Sequence, residues 1–129
     1  MPAQGKGEIV NILFKQGVPV DQVATLKKLL KALTPFIDLR DTMPLQLVRA
    51  FTLVATEEGR NVTWYADKAG ISPSLMTRHL ADIGETDRYH EPGFGLVEQF
   101  SNVRDKREHL MRLTPKGRGI AQKICNALE

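Results

Sequence analysis

The sequence predicts a mainly α-helical domain carrying one small β-hairpin, with an N-terminal helical extension. Three observations point that way. Apolar residues recur at spacings of three and four along most of the chain, two short segments near residue 100 alternate instead, and turn-forming residues separate the runs. The chain has 129 residues, of which 42% are hydrophobic and 26% charged, enough for one buried core, or one core plus an arm. A net charge of +3 is mild, so the placement of the basic residues matters more than their number. Cys125 is the single cysteine, which excludes an intramolecular disulfide and a cysteine-built zinc site and leaves it as a small apolar residue on a helix face. No apolar run approaches the roughly 18 residues that cross a bilayer. The "EIVNILF" segment lacks the length and cleavage site of a signal peptide, so a soluble, cytoplasmic protein is expected.

Residues 1–7 are small and polar and are expected to be loose. "EIVNILFKQG" carries Ile9, Val10, Leu13 and Phe14 at helical spacing but is short enough to be an edge strand. From Val20 the periodicity sharpens: Val23, Leu26, Leu30 and Leu33 form a stripe with Lys27, Lys28 and Lys31 between them, and Thr34-Pro35 is expected to end the helix. The stripe is wide for a lone surface helix, so it is expected to pack on a partner as well as on its own domain. Residues 1–41 therefore read as an arm and dimerisation helix, and residues 42–129 as the main domain.

In the main domain, Asp41-Thr42 offers helix-start chemistry with Pro44 in the first turn. Leu45, Val48 and Phe51, extended by Leu47 and Val54, make one face until Glu58-Gly59 stops the run. The stretch "VTWYADKAGISPSLMTRHLADIG" then divides into two short helices. Gly70 can take the left-handed conformation that ends the first, and Ile71 can plug the angle between them. Ser72 can cap the second, and Pro73 fits its first turn. Tyr65, Ala69, Ile71, Met76, Leu80 and Ile83 supply an inward face. Ser74, Thr77, Arg78 and Ala81 remain outward, a short polar set with one arginine and no carboxylate before Asp82. That composition suits a helix lying in a DNA major groove, where arginine reads guanine and small hydroxyls touch bases or phosphates.

"ETDRYHEPGFG" reads as a loop. "GLVEQF" and "REHLMRLT" read as the strands of a hairpin joined by "SNVRDK". Thr114-Pro115 opens a last helix with Ile120, Ile124 and Leu128 on one face. Around the hairpin, Arg104, Lys106, Arg107, Arg112, Lys116 and Arg118 oppose only Asp105 and Glu108, a second electrostatic footprint for nucleic acid. The order of helices and hairpin is that of a winged helix-turn-helix.

At these residues the chain resembles the MarR family of winged-helix transcriptional regulators. "AGISPSLMTRHLADI", "GLVEQ" and "RDKREHLMRLTPKGRGIA" carry the resemblance, which spans residues 43–124. The most specific part is Asp105-x-Arg107 followed by Leu113-Thr114-x-Lys116-Gly117. The resemblance implies a sequence-specific double-stranded DNA-binding regulator and a homodimer. By position, Ser72, Ser74, Thr77 and Arg78 become groove or phosphate contacts. Arg104, Lys106 and Arg107 become wing contacts on the minor groove or phosphates, with Asp105 bracing Arg107. Two departures stand out: residues 85–93 form a longer loop than the family usually places there, and the last helix stops at Glu129 where the family commonly continues into dimerisation helices. The seam is therefore assigned to Val23, Leu26, Leu30 and Leu33, and the sequence assigns no residues to an effector site, which leaves a small-molecule effector open.

The sequence holds no Gly-rich phosphate loop, nucleophile elbow or paired carboxylates, so no enzyme and no cofactor are expected. Asp87, His90 and Glu91 in the loop could ligate a metal, but with no distant partner they read as solvated, and no metal site is expected. His79 and His109 are isolated. The other readings open to the fold are a winged helix of plasmid or phage replication or partition, and a protein–protein adaptor.

Overall fold

A computed structural model of the chain describes residues 17–87 and 89–129. The "EIVNILF" segment lies outside the described residues. The elements are α1 (Val20–Leu39), α2 (Leu45–Thr56), α3 (Val62–Ala69), α4 (Pro73–Asp82), β1 (Val97–Ser101), β2 (His109–Leu113) and α5 (Pro115–Leu128). The predicted class, mainly helical with one hairpin, is the one observed.

Helix α1 does not stop at Thr34-Pro35 but runs on to Leu39 with Pro35 inside it. A proline there has no N–H for the preceding turn, at a cost of about 3 kcal/mol. Burial decides the matter. Ala32, Pro35 and Phe36 are all buried, and the Phe36 ring meets Phe51 edge-on, 5.5 Å between centroids. Burying a phenylalanine contributes about 1.5–3 kcal/mol and such a ring pair about 0.5–1.5 kcal/mol more, which together offset the lost turn. Helix α1 also lies against α5.

Helix α2 starts later than its sequence suggests. Asp41 and Thr42 form a turn, closed by the Met43 amide donating to the Arg40 carbonyl at 3.1 Å, and Pro44 stands at the N-cap with no side-chain cap. Proline disfavours helical backbone in the residue before it, which moves the start to Leu45. The buried face is Leu47, Ala50, Phe51 and Val54, while Leu45 points outward and is largely exposed. Helix α3 begins on Asn61, whose Oδ1 accepts from the Trp64 amide at 2.9 Å.

Strands β1 and β2 pair antiparallel, with Val97 opposite Leu113 and Ser101 opposite His109. A third piece of backbone joins the outer side of β2. The Gly59 amide donates to the Met111 carbonyl at 2.7 Å, and the Met111 amide donates to the Arg60 carbonyl at 2.9 Å. Helix α5 then leaves the sheet through Thr114. Its hydroxyl donates to the Gly95 carbonyl and accepts from the Gly117 amide at 3.0 Å. Gly117 lies so close to the Leu96 carbonyl that a Cβ there would collide with backbone. The run Leu113-Thr114-x-Lys116-Gly117 thus holds a strand end, a cap and a close approach in sequence. On α5 Ile120 and Ala127 are buried, whereas Leu128 is half exposed instead of sharing the inward face.

Tyr65, Phe51, Met76, Ile83, Leu96, Val54 and Val97 are the largest fully buried side chains. They come from α2, α3, α4 and the start of the hairpin, with Phe36 of α1 and Ile120 of α5 closing the cluster. Among the described residues no helix is long and apolar enough to cross a membrane.

Candidate nucleic-acid interface

The corner between α3 and α4 is built as its residue types require. Gly70 takes φ +69°, the left-handed region. Its amide donates to the Asp67 carbonyl at 3.2 Å, and the Ile71 amide reaches back to Ala66 at 3.0 Å, closing the carbonyls of α3. Ser72 Oγ accepts from the Leu75 amide at 3.2 Å, and Pro73 occupies the first turn of α4. Met76, Leu80 and Ile83 are anchored in the core. This anchoring turns Ser72, Ser74, Thr77 and Arg78 to solvent.

The four outward residues are not equivalent as donors. The Ser72 hydroxyl serves the cap, and Thr77 Oγ1 donates to its own helix at the Pro73 carbonyl, 2.9 Å. Ser74 lies at the tip of α4, its Oγ 3.3 Å from that of Ser72. Among the described residues no ion pair engages Arg78. Leu75, partly exposed at the same end of the helix, is an apolar member of this surface that sequence reasoning missed.

The hairpin turn, residues 102–108, is ordered by its own side chains. Asn102 Oδ1 accepts from the Arg104 amide at 3.0 Å, and Asp105 Oδ1 accepts from the Arg107 amide at 3.0 Å. Asp105 also pairs with the Arg107 guanidinium at 3.3 Å. Arg104, Lys106 and Arg107 are exposed. The other cations singled out in the sequence divide. Arg112 pairs across the strands with Glu98 at 3.0 Å and lies over the Phe100 ring, and Arg118 pairs with Glu58 at 2.8 Å. These two are committed to the fold, whereas Lys116, exposed in the first turn of α5, and Arg104 and Lys106 on the wing have no ion pair among the described residues.

Several residues that shape this surface escaped the sequence reading. Glu58 Oε1 accepts from both the Leu113 amide and Arg118, each at 2.8 Å, and ties β2 to α5. Glu108 spans Asn61 and Asn102 at 2.9 and 3.0 Å. Arg60 and Lys68 each lie 5.2 Å from the centre of the Trp64 ring. Asn61 alone had a local signal, an asparagine directly before a helical run; the others depend on long-range pairing. The Tyr65 phenol is raised above its ordinary value of 10.0, chiefly by burial and then by the Glu58 and Glu57 carboxylates, against the lowering effect of its bond from the Arg60 amide.

The long loop after α4 folds on Asp87, whose Oδ1 accepts from the Tyr89 and Glu91 amides at 2.8 and 2.9 Å. That carboxylate is spent on loop geometry, and among the described residues no group of three metal-ligating side chains converges.

No family model matches the sequence, and no curated protein matches it. Solved structures match in shape. RV1404 from Mycobacterium tuberculosis aligns over 87% of this chain and 75% of its own, with 18% identity and a TM-score of 0.62. The MarR family transcription regulator SP03579 aligns over 98% and 74%, with 15% identity and a TM-score of 0.55. The transcriptional repressor CouR, solved bound to a 23-mer DNA duplex, aligns over 83% and 68%, with 24% identity and a TM-score of 0.51. Helix pair, hairpin and flanking helices together give this chain the MarR-like winged-helix fold.

Proposed function

We propose that the chain is a sequence-specific double-stranded DNA-binding transcriptional regulator that works as a homodimer. Helix α4 enters the major groove, and the wing lies on the minor groove or its phosphates. The observation that carries the reading is the outward face of α4, which holds small hydroxyls and Arg78, without an ion pair among the described residues, on a helix whose other face is locked in the core. An arginine so placed can give two parallel hydrogen bonds to guanine. Arg104 and Lys106 on the wing add attraction to phosphate that is independent of sequence. The DNA-bound state of the similar repressor CouR supports the same use of the fold.

A second copy supplies the other half-site. Val23, Leu26 and Leu30 are exposed on α1 with Ile37 continuing the stripe, and Leu33 is half-buried between them. Spacings of three and four make this an unpartnered apolar seam, rimmed by Lys27 and Lys31, that a symmetric dimer would close.

Titrating wild type and Arg78→Ala against a duplex selected from a random pool, and against a scrambled one, tests the reading. The variant should lose about 1–3 kcal/mol on the selected site and little on the scrambled one. An equal loss on both would make Arg78 a phosphate contact. Absence of salt-dependent binding by the wild type would favour an adaptor role.

A further inference from the structure

The wing and the helix pair are joined by one carboxylate. Glu108 Oε1 accepts from Asn61 Nδ2 at 2.9 Å, and Glu108 Oε2 accepts from Asn102 Nδ2 at 3.0 Å. Each amide has a second duty. Asn61 Oδ1 caps α3 through the Trp64 amide, and Asn102 Oδ1 holds the Arg104 amide. A continuous line of hydrogen bonds thus runs from the N-cap of α3, through Glu108, to the backbone of a wing cation.

The polarity of the line has a single solution. Both asparagine oxygens are taken by backbone amides, so both NH2 groups must face residue 108. Only a group with two acceptors and no donor satisfies them, which a carboxylate does and an amide does not. Hydrogen bonds to a charged acceptor of this kind are stronger than those to a neutral one. Among the described residues, the hydrogen bonds that hold the tip beyond lie within the turn itself.

We propose that Glu108 is a positioning residue for DNA binding. Clamped between Asn61 and Asn102, it sets the wing's attitude to the helix pair, so that Arg104 and Lys106 meet the duplex while α4 is seated. This rests on the DNA-binding reading above.

Two single substitutions and their combination test it. Asn61→Asp keeps a side chain that caps as well as asparagine but sets a carboxylate against Glu108. Glu108→Gln turns an NH2 toward one of the two amides. Each should speed hydrogen exchange of the Arg104 amide in the free protein and weaken binding of the selected duplex about tenfold, near the value of one charged hydrogen bond. The double variant reverses one bond of the line. The glutamine's Nε2 donates to the new carboxylate and its Oε1 accepts from Asn102, so both slow exchange and affinity should return. With Arg104→Gln and Lys106→Gln already in place, Asn61→Asp should cost no further affinity, because the effect travels through the wing.

Single variants with wild-type exchange and affinity would overturn the proposal, as would a double variant that recovers neither. A full loss that persists in the wing-neutralised background would show that Glu108 acts on α3 and not on the wing. If exchange responds as described but even the wild type binds no duplex, the clamp stands as a structural element and the DNA-binding reading falls.

Discussion

Tyr65→Phe removes one oxygen from the centre of the molecule and little else. The ring is fully buried and packs edge-on against Trp64 at 5.2 Å, contacts that phenylalanine keeps. What is lost is the phenol's bond to the Glu57 carbonyl at 2.6 Å and its weaker acceptance from the Arg60 amide at 3.4 Å. These bonds hold the link between α2 and α3, where the chain also pairs with β2. Losing the short bond and leaving a carbonyl short of a partner should cost about 1–2 kcal/mol. For a domain of this size that is about 4–10 °C in Tm. The pH dependence has a defined sign. The folded-state pKa of Tyr65 is raised above 10.0, mainly by burial, so the folded chain holds this proton more tightly than the unfolded one. The contribution is fully present below pH 10.0 and fades as pH climbs through the raised value. Thermal melts of both proteins from pH 7 upward should therefore show a gap that is constant to about pH 9 and narrows beyond about pH 10. A gap that keeps its width at high pH, or a variant as stable as the wild type near neutrality, would refute this account of the phenol.

Leu30→Asp places a charge in the middle of the exposed α1 seam, and light scattering should show monomers where the wild type gives dimers; a wild-type monomer at tens of micromolar would remove the basis for the seam. Neutralising Arg104 and Lys106 together should weaken all duplexes alike and flatten the plot of log affinity against log salt by about 0.9 for each removed charge that touches phosphate, about 3.6 when all four of a dimer do. An unchanged slope would take the wing off the DNA. Gly117→Ala drives a Cβ into the Leu96 carbonyl and should cost about 1–3 kcal/mol in a denaturation curve. Gly119→Ala, which meets nothing within 4 Å on the same helix, should instead stabilise by about 0.5–1 kcal/mol.

Local chemistry makes the corner at Gly70 and Ser72 legible in the sequence, since a left-handed glycine, a hydroxyl cap and a first-turn proline each act on their own neighbours. The hairpin was legible for the same reason, through alternation and turn residues. What stayed hidden depends on distant packing. Pro35 reads as a helix end until Phe36 finds Phe51, and Leu45 reads as inward until Pro44 delays the start of α2. On the candidate surface, the sequence marks Arg112 and Arg118 as free charge. Their partners Glu98 and Glu58 are 14 and 60 positions away, so no local pattern could remove them from the list. In the sequence Glu108 is one of two carboxylates among the basic residues, and nothing local shows that it reaches the helix cap at Asn61.

The packing of α1 on α5 also has a consequence for how the molecule is made. The whole helix pair and hairpin lie between these two helices in the chain, so their contact closes a long loop, whereas α2, α3 and α4 meet through short connections. Chain entropy delays the long closure, and the local contacts form ahead of it. During synthesis α1 emerges before the surface that will hold its inner face exists. Until α5 is made, the face of α1 that packs on it is uncovered. Lys27, Lys28 and Lys31 along the same helix are charges of the kind that hold uncovered apolar segments apart from one another.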